Sequence, residues 1–366
     1  MKIASILENQ KIEKRIAITP EIAKKYISLG LEVVLSENYG THLGIKDEEY
    51  NELGVSILND EKEIISNADI IVQLGLLSDD KNSLLRENQT FIGVLNPYDN
   101  KDKIDNLVKK NINPFSLELL PRITRAQSMD ILSSQASIAG YQSSLLAANH
   151  LKKYFPMLIT AAGTISPAKI LVIGAGVAGL QAIATCNRLG AKVTGFDVRQ
   201  STKEQVESVG GKFLELNYEY DDSDKQGYAK EQSLDKQEKQ NELLSKYIQS
   251  SDCVITTASI PGKKAPLIVT KKNIENMNFG SVIIDLAGES GGNCEIGDYG
   301  EVTNFSGVII DKPKNITNLV SEHSSLVFSR NVEAYLDLII DENKVNLDPN
   351  DEIIKSTNLN LEAKIE

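Results

Sequence analysis

Along the first third of the chain, short apolar runs alternate with stretches whose apolar residues recur at helical spacing. KIASIL (2–7), LEVVLS (31–36), DIIVQLG (69–75), TFIGVL (90–95) and NPFSLEL (113–119) have the length and near-continuous apolarity of strands buried on both faces. The segments between them are helical or loop-like, and one helix opens at Thr19-Pro20, an N-cap residue followed by proline where its missing N–H costs nothing. A long helical pattern runs from about Gln127 to Tyr154, with Met129, Leu132, Ala136 and Ala139 on one apolar face. A second series follows: AKILVIG (168–174), AKVTGFDV (191–198), KFLELN (212–217), CVITTAS (253–259), SVIIDLA (281–287) and GVIID (307–311). Strands separated by helices predict parallel, doubly wound sheets, and two such series predict two α/β domains. Between the third and fourth strands of the second series, residues 218–240 are polar and far longer than an ordinary connection, which predicts a lid or a disordered loop. Helical pattern returns from about Asn318 to Ile340. The polar tail beyond it lacks the apolar content for its own core and is expected to pack on the first domain, giving domains of 1–133 plus 321–366 and of 134–320.

Composition narrows the picture. At 366 residues, 41% hydrophobic and 25% charged, the chain has the balance of a globular protein with two full cores. Its 39 basic against 51 acidic residues, net charge −12, argue against nucleic acid or an anionic membrane as partner. The three cysteines show neither CxxC nor Cys/His spacing, so no metal site or disulfide framework is expected and a reducing, cytoplasmic compartment fits. No apolar run is long enough for a signal peptide or a membrane span, so any membrane role is expected to come through partners.

GAGVAG, Gly174 to Gly179, follows the strand ILVI and opens a helical run that closes at Gly190. In that βαβ setting the pattern is the Rossmann fingerprint. Gly174 makes the tight turn, Gly176 admits the pyrophosphate, and Gly179 lets helix and strand approach; the helix N-terminus, at Val177 and Ala178, offers amides and a positive dipole end. Asp197, 23 residues after Gly174, stands where a carboxylate accepts the adenosine ribose hydroxyls and repels a 2′-phosphate, which selects NAD(H). Arg199, past Val198, is a cation that a 2′-phosphate would welcome, and a glycine turn that binds nothing is the bland alternative.

A second polar concentration lies at PRITRAQSMDILSSQA, 121–136. At helical spacing Gln127, Asp130, Ser133 and Ser134 share a face, and Arg122 and Arg125 precede it, able to contact cofactor phosphate or to hold Asp130. An amide both donates and accepts, matching a nicotinamide carboxamide. Alcohol or amine oxidation requires a base, yet His42, His150 and His323 adjoin no nicotinamide-facing motif and read as structural or exposed. Hydride transfer between two nicotinamides exchanges no proton with the protein and requires positioning alone. The same residues also read as a plain capped helix start.

PRITRAQSMDILSSQASIAGY, ITAAGTISPAKILVIGAGVAGLQAI, GYAKEQS (227–233), TTASIPGKKAP (256–266) and GGNCE (291–295) together resemble the NAD(H)-binding component, domain I, of the proton-translocating (Si-specific) NAD(P)+ transhydrogenases, over nearly the whole chain. The resemblance extends to alanine dehydrogenase in its two-domain architecture and KRIAITP-like opening, and an alanine-dehydrogenase-like oxidoreductase or a non-catalytic NAD-responsive module remain alternatives. It implies two Rossmann-like domains with a cleft that binds NADH, a homodimer, and a soluble alpha subunit. Such a subunit passes hydride to NADP(H) on a beta subunit while membrane subunits, including an alpha-2-type partner, carry protons; it would sit peripherally on the cytoplasmic face of the inner membrane. Carried over by position, Gln127 contacts the dihydronicotinamide, with Arg122, Asp130 and Ser133 completing that site and Arg125 and Ser134 beside it. Val177, Asp197 and Arg199 match adenosine contacts, with Ala178, Val198 and Ser259 flanking, and Gly227 and Tyr228 ride a mobile loop over the nucleotide. Three segments depart from the family pattern: Gln73 replaces a lysine that alanine dehydrogenase uses on its substrate, Gln232 replaces a methionine, and LAGESGGNC replaces LAAENGGNC.

Overall fold

A computed structural model describes residues 1–216, 234–260 and 262–360, without the side chains of 234–238. The chain divides into two compact units, Met1–Gln135 with Val320–Glu366, and Ala136–Leu319.

The first unit is built on strands β1 (Lys2–Ser5), β2 (Glu32–Ser36), β3 (Ser56–Leu58), β4 (Ile70–Val72), β5 (Thr90–Gly93) and β6 (Asn113–Ser116), joined through helices α1 (Pro20–Ser28), α2 (Asp47–Glu52), α3 (Glu61–Asn67), α4 (Asp79–Asn82) and α5 (Lys101–Lys109). The sheet is parallel throughout, in the order β3-β2-β1-β4-β5-β6, with Ile3 in register with both Val33 and Ile70. Alternate strand residues feed opposite cores because successive side chains point to opposite faces. Ile3, Val33, Leu35, Ile70, Val72 and Ile92 enter one, while Ala4, Val34, Ile71 and Phe91 meet Ile64, Ile65, Ile104 and Leu107 in the other. Pro20 opens α1 as expected, but the Thr19 hydroxyl pairs with the Ser329 hydroxyl (3.1 Å) instead of capping the helix.

The helix expected from Gln127 to Tyr154 is divided. Thr124–Met129 form a 3-10 turn, Asp130 (φ −70°, ψ 89°) leaves helical geometry, and α6 runs from Ile131 to His150, from the first unit into the second. Leu132, assigned to the apolar face, is 41% exposed.

The second unit opens with a hairpin that the apolar pattern did not reveal, β7 (Leu158–Thr160) and β8 (Gly163–Ile165). Its main sheet comprises β9 (Lys169–Ile173), β10 (Lys192–Phe196), β11 (Lys212–Phe213), β12 (Cys253–Thr256), β13 (Val282–Asp285), β14 (Val302–Phe305) and β15 (Val308–Asp311), in the order β11-β10-β9-β12-β13-β15-β14. β14 is antiparallel to β15 and makes the sheet mixed at one edge. The turn between them places Ser306 and Gly307 at φ 53° and 80°, the left-handed pair that suits a two-residue hairpin. Helices α7 (Val177–Arg188), α8 (Lys203–Ser208), α9 (Leu234–Ser250) and α10 (Lys271–Glu275) complete this unit. Ala182, Ile183 and Cys186 of α7 cover one sheet face, and Leu244 and Ile248 of α9 the other. Because α9 begins at Leu234, the last residues of the expected 218–240 loop are helical.

The chain then returns to the first unit as α11 (Ser321–Ile339) and α12 (Glu352–Thr357). Phe328, Val332, Tyr335, Leu336 and Ile339 of α11, with Ile353 and Ile354 of α12, are buried in the same core as β1, β2 and β4.

Candidate functional site

The glycine loop joins β9 to α7, and its three glycines answer three different steric demands. Gly174 has φ +98°, and a Cβ there would lie 2.5 Å from Thr257 Oγ1. A Cβ on Gly179 would lie 1.8 Å from the Gly174 carbonyl oxygen. A Cβ on Gly176 would meet nothing within 4 Å, so this position is open outward, as close approach of a phosphate requires. Gly176 is also the N-cap of α7 and supplies no side chain to the first amides of the helix, leaving those donors and the positive dipole end for an anion. Val177 is 40% exposed and Ala178 partly so at this end. Within the same unit, α6 packs closely here: a Cβ on Gly140 would lie 2.1 Å from the Ala178 carbonyl oxygen, and the Ser144 hydroxyl donates to Ala182 O (3.1 Å). The residues present therefore fit a dinucleotide pyrophosphate.

Asp197, at the end of β10, is 5% exposed and tied to this loop: its Oδ2 accepts the Ala175 amide at 2.7 Å. Arg199 donates its backbone N–H (2.9 Å) and Nε–H (2.8 Å) to Oδ1 and an Nη2–H (2.8 Å) to Oδ2. Val198 between them packs against the core under α9. Sequence reasoning missed the loop's supports. Thr257 donates its hydroxyl to Gly174 O (3.2 Å), and Asn293 brackets Ala258, accepting its N–H (3.1 Å) and donating to its carbonyl (2.8 Å). Ser259 beside them is exposed. Asn293 lies in the GGNCE motif, so the motif marked the place without revealing the contact. Gly227, Tyr228 and Gln232 lie outside the described residues.

In the first unit, the 121–136 stretch is arranged differently from one helical face. Asp130 caps α6, accepting the Ser133 amide (2.9 Å) and hydroxyl (2.6 Å), which is the local role that the bland reading assigned. The Ser134 hydroxyl donates to Asn331 Oδ1 (2.6 Å), and Asn331 Nδ2 donates to Ser128 O (2.7 Å), so a residue of α11 ties the C-terminal end of the turn that carries Gln127 to the first turn of α6. No local signal in the sequence links Asn331 to this turn. Arg125 does not hold Asp130: its Nη1 pairs at 2.6 Å with Asp351, the N-cap of α12. The Gln127 and Arg122 side chains are exposed.

The histidines take structural or exposed positions, as expected. His42 bonds the Lys14 carbonyl (2.7 Å), His150 pairs with Asp311 (2.9 Å), and His323 is exposed. Gln73 is 1% exposed; its Oε1 accepts the Ser5 hydroxyl (2.7 Å) and the Ile6 amide (2.9 Å), and its Nε2 donates to Glu8 (3.1 Å). Burial pushes the Glu8 carboxyl up to about 7, with the Leu74 amide pulling the other way. The three cysteines are free and buried, with their thiols raised by burial, and no metal-ligand cluster occurs among the described residues.

Two doubly wound sheets, one carrying a complete glycine loop with a carboxylate at the end of the next strand, define a protein of the dinucleotide-binding α/β class. The family descriptions "Alanine dehydrogenase/PNT, N-terminal domain" and "C-terminal domain" match residues 6–139 and 143–365. The chain belongs to this alanine dehydrogenase/PNT family. It is 44% identical to the first part of the NAD(P) transhydrogenase alpha subunit of Rickettsia prowazekii, over 100% of this chain and 96% of that one. It is 41% identical to the protein of the same name from Rhodospirillum rubrum, over 95% and 92%. Among solved structures, the transhydrogenase of Sinorhizobium meliloti superposes with a TM-score of 0.89 at 39% identity, covering 98% of each chain. An L-alanine dehydrogenase at 20% identity and TM-score 0.78, covering 92% of this chain and 89% of that one, shares the fold.

Proposed function

We propose that this chain is the NAD(H)-binding alpha component of a proton-translocating transhydrogenase, passing hydride from NADH to NADP+ held on a beta subunit. The observation that carries the reading is the loop Gly174–Gly179, where one glycine is open to a phosphate and the other two are closed to any side chain. The names of the relatives from Rickettsia prowazekii and Rhodospirillum rubrum supply the transhydrogenase assignment. In this reading the α7 amides hold the pyrophosphate, and Asp197 and Arg199, with Val177, Val198 and Ser259 near them, address the adenosine half. Gln127 orients the dihydronicotinamide carboxamide, supported by Arg122, Asp130, Ser133 and Ser134, and Gly227 and Tyr228 close over the nucleotide. The bound NADH supplies the hydride; the chain contributes position and no proton. Arg125, engaged by Asp351, serves the site by anchoring the turn.

The component acts as a homodimer on the cytoplasmic face of the inner membrane, docked on the NADP-binding beta subunit and a membrane alpha-2-type subunit. No helix among the described residues is long and apolar enough to cross a membrane. Met157 (59% exposed) and Ile159 (72%), beside and within the β7–β8 hairpin, give a second copy an apolar surface to cover.

Reconstitution tests the reading. Purified protein with NADH should be inert toward pyruvate plus ammonia and should transfer hydride to an NADP analogue when the beta component is added. Pyruvate-dependent NADH oxidation would instead favour alanine-dehydrogenase-like chemistry, for which buried Gln73 offers no amine.

A further inference from the structure

An ionised carboxylate offers about four acceptor positions, two to each oxygen. The chain itself fills those of Asp197: the Ala175 amide and Arg199 Nη2 on Oδ2, and the Arg199 amide and Nε on Oδ1. The two side chains are 14% and 5% exposed, so the fork is largely withdrawn from water, where charge-assisted pairs are strongest. A ribose diol presenting two hydroxyl donors to Asp197 finds every acceptor position occupied. Removing the guanidinium alone opens one position on each oxygen, the arrangement that two neighbouring hydroxyls need. The Ala175 and Arg199 backbone amides would still hold the carboxylate in place.

From this juxtaposition we infer that Arg199 is a specificity-determining residue: its guanidinium occupies the ribose-diol acceptor of Asp197 and must swing off when NAD(H) binds. The inference rests on the NAD(H) reading above. The diol and the guanidinium compete for the same lone pairs, so Arg199 weakens NADH binding. Once displaced, the guanidinium is a cation beside the ribose 2′ position, where it offsets the repulsion between Asp197 and a 2′-phosphate. The same side chain therefore narrows the preference for NADH over NADPH from both ends.

The test is equilibrium titration of the full chain with NADH and with NADPH, read by nucleotide fluorescence, for the parent, Arg199→Met and Arg199→Lys. Arg199→Met keeps a stem of similar bulk and loses the fork; it should bind NADH about fivefold or more tightly and NADPH about fivefold or more weakly, a change of about 1 kcal/mol in each direction. Arg199→Lys keeps the charge but cannot bridge both oxygens, so it should tighten NADH while retaining NADPH binding near the parent value. Thermal unfolding without nucleotide checks that each variant is folded, and if Arg199→Met is not, Arg199→Lys carries the comparison. A folded Arg199→Met that binds NADH more weakly overturns the inference, because the guanidinium would then contact the nucleotide directly. Unchanged affinity overturns it too, because the fork would then open at no cost. A parent that binds no NADH removes the NAD(H) reading, and this inference with it.

Discussion

Alanine substituted singly at Gly176 and at Gly179 separates the loop's fold from its function. At Gly179 the new Cβ would sit 1.8 Å from the Gly174 carbonyl oxygen, with Thr257 Oγ1 at 3.1 Å. A relaxed C···O contact is about 3.3 Å or more, so backbone must move by roughly 1.5 Å, and the overpacking cost is about 3 kcal/mol, the upper end of the usual range. At about 2–4 °C per kcal/mol for a domain of this size, the second unit's transition should fall by about 6–12 °C. At Gly176 the Cβ meets nothing within 4 Å, and φ −77° suits any residue, so Gly176→Ala should match the parent or gain about 0.4–1 kcal/mol through the unfolded chain. The added methyl nevertheless stands where a pyrophosphate must approach, and NADH affinity should drop at least tenfold, about 1.4 kcal/mol. NADH at about a hundred times the parent's Kd stabilises the parent by about 2.7 kcal/mol and Gly176→Ala by no more than about 1.4. Thermal unfolding with and without NADH reads both effects. Equal melting losses in the two variants, or a parental NADH shift in Gly176→Ala, would refute the division of roles among the glycines.

Gln127→Asn keeps the amide one methylene short, and single-turnover hydride transfer in the reconstituted complex should slow by about 100-fold while NADH affinity stays within a few-fold of parent; a parental rate removes Gln127 from the reaction geometry. Glu8 titrates near 7 in the fold against an ordinary 4.5, so the native state holds the extra proton between those values and stability declines as pH rises from about 4.5 to about 7. The decline should be on the order of 1–3 kcal/mol, read from melting temperature against pH, and Glu8→Gln, which keeps the acceptor for Leu74 and Gln73, should abolish it; an unchanged slope assigns the effect elsewhere. Asp351→Ala removes both the α12 cap and the Arg125 partner and should cost about 1–2 kcal/mol in denaturant unfolding, against about 0–1 for Arg125→Ala. Equal losses would mean that the exposed pair, and not the cap, holds α12.

Elements buried on both faces were legible from apolarity alone, because β1, β4, β5, β9, β12 and β13 read as continuous hydrophobic runs. Those the sequence concealed are short or half-solvated. β3 is three residues with Ser56 exposed, β14 alternates exposed with partly buried positions, and the β7–β8 hairpin turns its apolar residues outward. The start of α6 was misplaced because helical periodicity cannot register the single dihedral at Asp130. At the candidate site, the glycine loop and Asp197 were readable because their spacing reflects local geometry. The engagement of Arg125 by Asp351 and of Ser134 by Asn331 joins residues some two hundred positions apart, and nothing in either segment announces the other.

The return of α11 and α12 to the first unit gives the chain an inverted order of completion. Ala136–Leu319 is contiguous, so a ribosome delivers all of the second unit before α11 exists. The first unit, although its strands emerge earliest and Ile22, Tyr26 and Tyr50 of α1 and α2 already pack with Ile3 and Val33, waits with that core incomplete until Phe328, Tyr335 and Ile354 arrive to close it. Domains commonly close in the order they are made, N-terminal first; here the nucleotide-loop unit can fold first, and the amino-terminal sheet depends longest on protection from aggregation.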